Sequence, residues 1–485
     1  MNLFETSGAS AAELMTEGGD ARIRLDPATG LNRYHSAPRP SDALAYASST
    51  ANDVSAEAYA AVEALGIGRD LSPRDYAAGL ESRRARIRAA YGLAGDVAIV
   101  FAPSGTDLEY VGLAAVEGRA ANGTHNILLG ADEVGSGCIH SAYGRYFAES
   151  TALGIATTAG DPVPGFGDTK VEMIDIPVRD DRGRPRPSAE ITARMDEAIA
   201  GAARDQRHVL VHVVHGSKTG LILPHLEDID ALATRHGDSV TFLVDACQAR
   251  ITSAAIADYL DRNAIVFVTG SKFMGGPPFS GFALVPAALA ERAPALPAGL
   301  ATIFRRGEWP QSWPGAEILP EGANPGLLLR LEAAIFELER FQELSLEAVT
   351  RVILSFHAAV RSEIIEMTEA RRVAPYPPGE REEADTHPIE MRTLSTLDLS
   401  RMGGGRATFD DSTRWHKALL EHGVRLGQPV KAVRLDDGSW GATLRIGLSM
   451  PQVSARAGLE DEALDRAFCE DMERVRIALE AVSRG

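Results

Sequence analysis

FLVDACQARITSAAIADYLDRNAIVFVTGSKFMGGP, running from Phe242 to Pro277, decides how the rest of the chain reads. It opens with the apolar run Phe242, Leu243 and Val244 and ends that run on a carboxylate, Asp245. An amphipathic segment, Ile251 to Leu260, leads into a second apolar run, Ile265 to Val268, which ends on Thr269, Gly270, Ser271 and Lys272. Two short apolar runs joined by a helical crossover predict a βαβ unit with parallel strands. In such sheets ligands collect beyond the carboxyl ends of the strands. Asp245 and Lys272 both stand at such ends, so one ligand can reach both.

Either residue alone carries little information. An acid at a strand end often only caps the next helix, and most lysines lie on the surface. Together they resemble the core of the fold type I enzymes that depend on pyridoxal 5′-phosphate (PLP). VDACQA resembles the strand end of the class V aminotransferase and cysteine desulfurase branch, and GSKFMGGPPFSGF resembles its lysine loop followed by glycines. The resemblance implies that Lys272 holds PLP as a Schiff base and that Asp245 pairs with the pyridinium nitrogen. It also implies an α/β fold: an aspartate aminotransferase-like large domain with a mainly parallel sheet, plus a smaller α+β C-terminal domain. The resemblance runs in scattered motifs from about Val97 to Leu448, and the first ninety residues carry none of it.

Composition narrows the classes further. A chain of 485 residues is long enough for two or three domains around a large core. Apolar content of 45% and charged content of 24% are ordinary for a globular protein. With 49 basic against 67 acidic residues the net charge is −18, which disfavours nucleic acid and anionic membrane surfaces as partners. Three cysteines, Cys138, Cys247 and Cys469, make no disulfide framework and no CxxC pair. No metal site is expected. The N-terminus lacks the pattern of a secretory signal, and no apolar run reaches the roughly 18 residues that span a bilayer. A reducing cytoplasm is the expected location.

In chain order, residues 1 to about 50 read as an extended arm, with helices at 54–66 and 73–92. Arg33, Tyr34 and His35 in the arm are weighed as substrate contacts against a plain surface role, and the surface role is preferred. The strand VAIVF (97–101) is followed by PSGTDLEYVGLAAVEG, a turn feeding a helix whose free N–H groups and positive dipole end suit a phosphate. Ser104, Gly105 and Thr106 there match the family's phosphate cradle in chain order, although a simple N-cap is the ordinary reading. After the strand HNILLG comes ADEVGSGCIHSAYGRYF, where the family places a histidine or aromatic side chain against the pyridine ring. This chain has Val134 or Gly135 near that position, so the stacking residue is unassigned; His140 is a candidate set against an ordinary helix histidine.

VLVHVVHGSKTGLILP is another strand running into a loop, and it lacks the order of a P-loop. It resembles the N-x-T-G loop of class V enzymes with Ser217 in the asparagine's place, which assigns Ser217, with Gln248, to the cofactor's phenolic oxygen. His215 reads as a structural histidine. Trp309 and Trp313 belong to an irregular segment at a substrate entrance or a subunit interface. EGANPGLLLRLEAAI resembles the segment that reaches a neighbouring subunit's phosphate, with Ala323 replacing threonine and only the backbone or Asn324 left to contribute. TLRIGLSM resembles the strand that carries the carboxylate-binding arginine, here Arg445, a planar two-point clamp.

These readings divide the chain into an N-terminal arm with helices (1–92), a large PLP-binding domain (93–325), and long connecting helices with a small C-terminal domain (326–485). Thr269 and Ser271 join Ser104, Gly105 and Thr106 as phosphate ligands. The expected activity is aminotransfer on an amino acid or amine, through a carbanion at the α-carbon, in a homodimer with active sites at the interface. A β-eliminating or C–S lyase is the runner-up. A non-catalytic PLP-fold binding protein is the alternative of another class. Cysteine desulfuration through a persulfide is not expected, because the only cysteine after Cys247 is Cys469 in the terminal helix.

Overall fold

A computed structural model describes residues 9–484 except 132, 136, 167–169, 378 and 381–386, and the side chain of residue 391. Parts of the expected loops at 132–138 and 375–388 therefore lie outside the described residues.

The strands, in chain order, are β1 (Leu44–Tyr46), β2 (Ala98–Ala102), β3 (Thr124–Leu129), β4 (Val171–Ile176), β5 (His208–His215), β6 (Ile222–Leu223), β7 (Val240–Asp245), β8 (Ile265–Thr269), β9 (Gly281–Val285), β10 (Arg371–Arg372), β11 (Leu394–Asp398), β12 (Val424–Leu426) and β13 (Thr443–Gly447). Eight of them form one sheet in the order β2-β9-β8-β7-β5-β3-β4, with β6 paired to β5. β4, β3, β5, β7 and β8 run parallel; β9 runs antiparallel between β8 and β2. The βαβ unit expected at 242–269 is present, with helix Ser253–Asp261 as its crossover.

Both faces of the sheet are covered, which explains why its strands read as continuous apolar runs rather than alternating ones. All eight residues of β5 are buried. Alternate residues enter two different cores. Val209, Val211 and Val213 pack with Ile191, Met195 and Ile199 of the helix Ser188–Arg204. Leu210, Leu243 and Phe267 point the other way, under the helix Leu108–Val116 and the 300–319 segment. Trp309 and Trp313 belong to this second core, 1% and 3% exposed, with ring centroids 4.9 Å apart. They line neither an entrance nor an exposed face: a large aromatic pair next to Phe304 gains more from burial inside the chain.

The C-terminal part carries a three-stranded antiparallel sheet, β10-β11-β13, and the long helix Asp461–Arg484. The arm is not a surface appendage. β1 pairs in parallel with β12, and Arg425 bonds Asp53 at 2.6 Å. The Ser48 hydroxyl donates to the Leu448 carbonyl at 2.7 Å. Residues 44–53 thus lie between the C-terminal strands and the lysine loop. Among the described residues, no helix is long and apolar enough to cross a membrane.

Candidate functional site

Beyond the carboxyl ends of β2, β3, β5, β7 and β8 lies one cavity of about 620 Å3. Ser104, Gly105, Thr106, Ser217, Asp245, Gln248, Thr269, Ser271, Lys272 and Arg445 all line it. The ends of β2, β5, β7 and β8 deliver nine of these ten residues, because the sheet turns those strand ends toward the same side, and Arg445 comes from β13 of the C-terminal sheet. β7 and β8 are neighbours, with Asp245 in register with Phe267. Asp245 and Lys272 therefore leave adjacent strands into the same space.

The local chemistry differs from the expectation in detail. The Ser104 hydroxyl donates to Asp107 at 2.6 Å and accepts from the Asp107 N–H at 3.3 Å, so it caps the turn. The Thr269 hydroxyl donates to the Cys247 carbonyl at 2.6 Å, and Ser271 donates to Thr269 at 3.3 Å. These hydroxyl protons are engaged within the protein. Gly105 is required where it stands: a Cβ there would sit 2.9 Å from the Thr269 methyl and 3.3 Å from the Cys247 sulfur.

Ser217 does not offer its proton to the cavity. Its hydroxyl donates to the buried Glu133 carboxylate at 2.8 Å, which also takes Arg179 Nε at 2.6 Å and the Thr219 N–H at 3.0 Å. Burial alone would raise the Glu133 carboxyl, but Arg179 and the two hydroxyls hold it below its ordinary value. Ser217 therefore positions the loop rather than reaching a ligand. Gln248 donates to the Ser49 carbonyl at 3.2 Å and accepts from Arg250 at 2.6 Å.

Arg445 reaches the cavity, yet four of its five N–H groups are committed. Nε donates to the Gln428 carbonyl (2.8 Å), Nη1 to the carbonyls of Ser49 (3.2 Å) and Lys218 (3.1 Å), and Nη2 to the Thr50 hydroxyl (3.1 Å). The expected two-point clamp is reduced to a one-point contact. Burial lowers the guanidinium to about 10.

Other candidates resolve plainly. His215 bonds the Tyr259 hydroxyl and Glu390, each at 3.1 Å, and is structural as expected. His140 does not line the cavity, whereas Val134, Gly135 and Cys138 from the same turn do. Asn324 caps the helix Pro325–Gln342 and bonds the Gly18 carbonyl at 2.9 Å, so it is used within the chain. Arg33 is exposed and His35 stacks on His416, while Tyr34 lines the cavity. The preferred surface reading of the arm is thus corrected at Tyr34. Cys138 and Cys247 line the cavity with thiols pushed well up by burial; Cys469 is remote from it, on the terminal helix.

Comparison with solved structures bears on the fold. The cysteine desulfurase CsdA from Escherichia coli matches with a TM-score of 0.55 at 14% identity, over 91% of this chain and 95% of that one. The ureidoglycine–glyoxylate aminotransferase of Bacillus subtilis matches with a TM-score of 0.54 at 13% identity, over 91% and 92%. A variant of C-DES with glycine covalently linked to its PLP cofactor matches with a TM-score of 0.55 at 13% identity, over 89% and 96%. The fold is that of the fold type I PLP enzymes. No protein-family model and no curated protein matches the sequence.

Within this fold type I cavity, several residues had no signal in the sequence. Arg22, Ser49 and Thr50 come from the arm, which contains no motif. The Arg22 guanidinium bonds Asp20 at 2.6 Å and lies 4.9 Å from the Phe279 ring centroid. Glu109 had one legible signal: it is the only charge in the apolar helix LEYVGLAAV.

Proposed function

We propose that this protein is a PLP-dependent enzyme acting on an amino acid or amine, and that it is an aminotransferase. The observation that carries the proposal is the convergence of Asp245, Lys272 and the Ser104–Thr106 turn on one cavity. Its volume of about 620 Å3 lies within the roughly 300–1,000 Å3 of cofactor and small-molecule sites. The residues fit the group. An amine and a carboxylate stand on adjacent strand tips, and Gly105 leaves open a cradle that a Cβ would crowd. The Ser49 hydroxyl is buried on the cavity wall without a hydrogen-bond partner.

When bound, PLP would supply the electron-withdrawing ring that makes the proton on a substrate's α-carbon removable. The chain's own groups do the rest. Lys272 Nζ would hold the cofactor's aldehyde carbon and, once a substrate amine displaces it there, would take and return the α-proton. Asp245 would hold a positive charge on the ring nitrogen, since an ionised partner favours the charged form. With the protons of Ser104, Thr269 and Ser271 engaged, the Gly105 and Thr106 main chain and the Thr106 hydroxyl would hold the phosphate, near the positive end of the helix Leu108–Val116. Arg445, with Thr50 beside it, orients a substrate carboxylate. A thiol-based desulfurase mechanism finds no support, because the cavity cysteines are held as thiols and Cys469 is elsewhere. A cytoplasmic homodimer is part of the same proposal.

The test is spectroscopic. Purified protein with PLP is expected to show a visible cofactor band that amino donors bleach reversibly and a keto acid restores. Lys272→Ala is expected to lose the band. Release of ammonia and a keto acid without any acceptor would assign the lyase reaction instead. A wild type that never takes up PLP refutes the proposal.

A further inference from the structure

We propose that Glu109 is a positioning residue for Asp245: backed by His212, its carboxyl stands behind that carboxylate and, by gaining or losing charge, sets how firmly the cofactor's ring nitrogen keeps its proton. The inference rests on the PLP reading above and extends it to residues outside the resemblance.

Strand parity brings the three groups together. His212 on β5 is in register with Leu243 on β7, and Asp245 lies two residues further along β7. Side chains two apart on a strand share a face, so His212, Leu243 and Asp245 all face the helix Leu108–Val116. That helix approaches closely because residue 112 is glycine. A Cβ there would lie 2.3 Å from Leu243 and 3.4 Å from Leu210 and Phe267. One turn earlier on the same helix, Glu109 reaches the cavity wall. Glu109 Oε2 lies 3.3 Å from His212 Nε2, with the two side chains 2% and 1% exposed.

The cluster is dry and incompletely paired. Glu109 Oε2 and His212 Nε2 have only their 3.3 Å contact with each other, short of a well-aligned hydrogen bond, and His212 Nδ1 is buried without a hydrogen-bond partner. Leaving such groups unmade costs on the order of 1–3 kcal/mol each, which a fold keeps where a function uses them. Burial, then the charge of Asp245, pushes the Glu109 carboxyl well up, against a smaller downward pull from the Cys138 thiol. Burial lowers His212 to about 4. Glu109 is therefore the neutral acid and His212 the neutral base. The titratable groups facing Glu109 are His212 from β5, Asp245 from β7 and Cys138 from the helix Cys138–Ser141; β9, which also packs on this helix, contributes none. The charge of Asp245 acts on the buried Glu109 carboxyl, so the charge state of Glu109 acts back on whatever Asp245 holds. A ligand with a positive ring nitrogen at Asp245 makes ionisation of Glu109 easier, and an ionised Glu109 in turn makes that ring proton harder to remove.

The experiment reads the ring nitrogen of bound 15N-labelled PLP by NMR as a function of pH. In Glu109→Gln, which cannot ionise, the ring proton is expected to leave about one pH unit lower than in wild type, a tenfold change in proton affinity. Cys138→Ala removes the downward pull on Glu109, so its titration is expected between the two. A Glu109→Gln titration that superimposes on wild type overturns the proposal. So does a loss of PLP affinity that is uniform with pH, the signature of packing alone. If Glu109→Gln does not fold, Cys138→Ala decides, and an unchanged ring-nitrogen titration there overturns the coupling. A wild type that takes up no PLP brings down the cofactor reading as well, and is distinguished by that.

Discussion

The side-chain amide of Asn52 donates to two successive main-chain carbonyls of the lysine loop, Ser271 at 3.0 Å and Lys272 at 2.6 Å. A residue from the arm thereby fixes the backbone that carries the amine. Asn52→Ala leaves both carbonyls short of a donor in a buried place, at a cost of about 1–3 kcal/mol. The expected outcome is an unchanged circular dichroism spectrum with PLP affinity weakened about tenfold or more, read by equilibrium titration of the cofactor band.

Arg445 is a girder as much as a ligand. It ties Ser49, Thr50, Lys218 and Gln428 together. Arg445→Ala is expected to lower the unfolding temperature by several degrees as well as to raise KM for a carboxylate-bearing donor. Arg445→Lys, which keeps the charge but not the fork, is expected to recover little of either. A rise in KM with no change in thermal unfolding would show that the main-chain contacts carry no weight.

Gly112 sets the spacing between the helix Leu108–Val116 and the sheet. Its replacement by Ala places a methyl where Leu243 already is, 2.3 Å away. Overpacking of this kind costs about 1–3 kcal/mol. Chemical denaturation is expected to show that loss, together with weaker PLP binding, since the same helix carries the phosphate turn.

Asp107 gives a pH-dependent stability term. Burial raises its carboxyl to about 7 from an ordinary 3.8. The folded state then binds a proton more tightly than the unfolded state, so stability falls as pH rises from about 4 to about 7 and levels off above. At roughly 1.4 kcal/mol per unit the upper bound is about 4 kcal/mol. Asp107→Asn, which still accepts from Ser104, is expected to be more stable than wild type at pH 7.5 and to lack the decline between pH 4 and 7. Denaturation midpoints across that range check it; parallel curves would show that Asp107 stays ionised when buried.

Much of the fold was legible because its signals are local. The apolar runs at Phe242–Val244 and Ile265–Val268 became β7 and β8, and the helix expected at 73–92 is Pro73–Tyr91. Capping serines at 55 and 72 and the glycine after Tyr91 mark boundaries that local chemistry alone decides. Trp309 and Trp313 were not legible, because nothing nearby in sequence tells whether an aromatic pair fills a chain's own core or a surface.

The site divides along the same line. Asp245, Lys272 and the Ser104–Thr106 turn were readable because each stands where a strand ends, and strand ends show in a single stretch of sequence. The capping role of Ser104 was equally local, but the partners that claim the protons of Ser217 and Thr269, and the donors of Arg445, were not legible. Asn52, Glu133 and the Glu109–His212 pair come from segments remote from the motifs they serve. The amino-acid sequence by itself determined which strands form and which residues stand at their tips, because hydrophobic periodicity and turn chemistry act over a few residues. Only the tertiary structure decided which of those polar groups remain available to a ligand, because hydrogen bonds are saturable and are allotted by whatever the folded chain brings within about 3 Å.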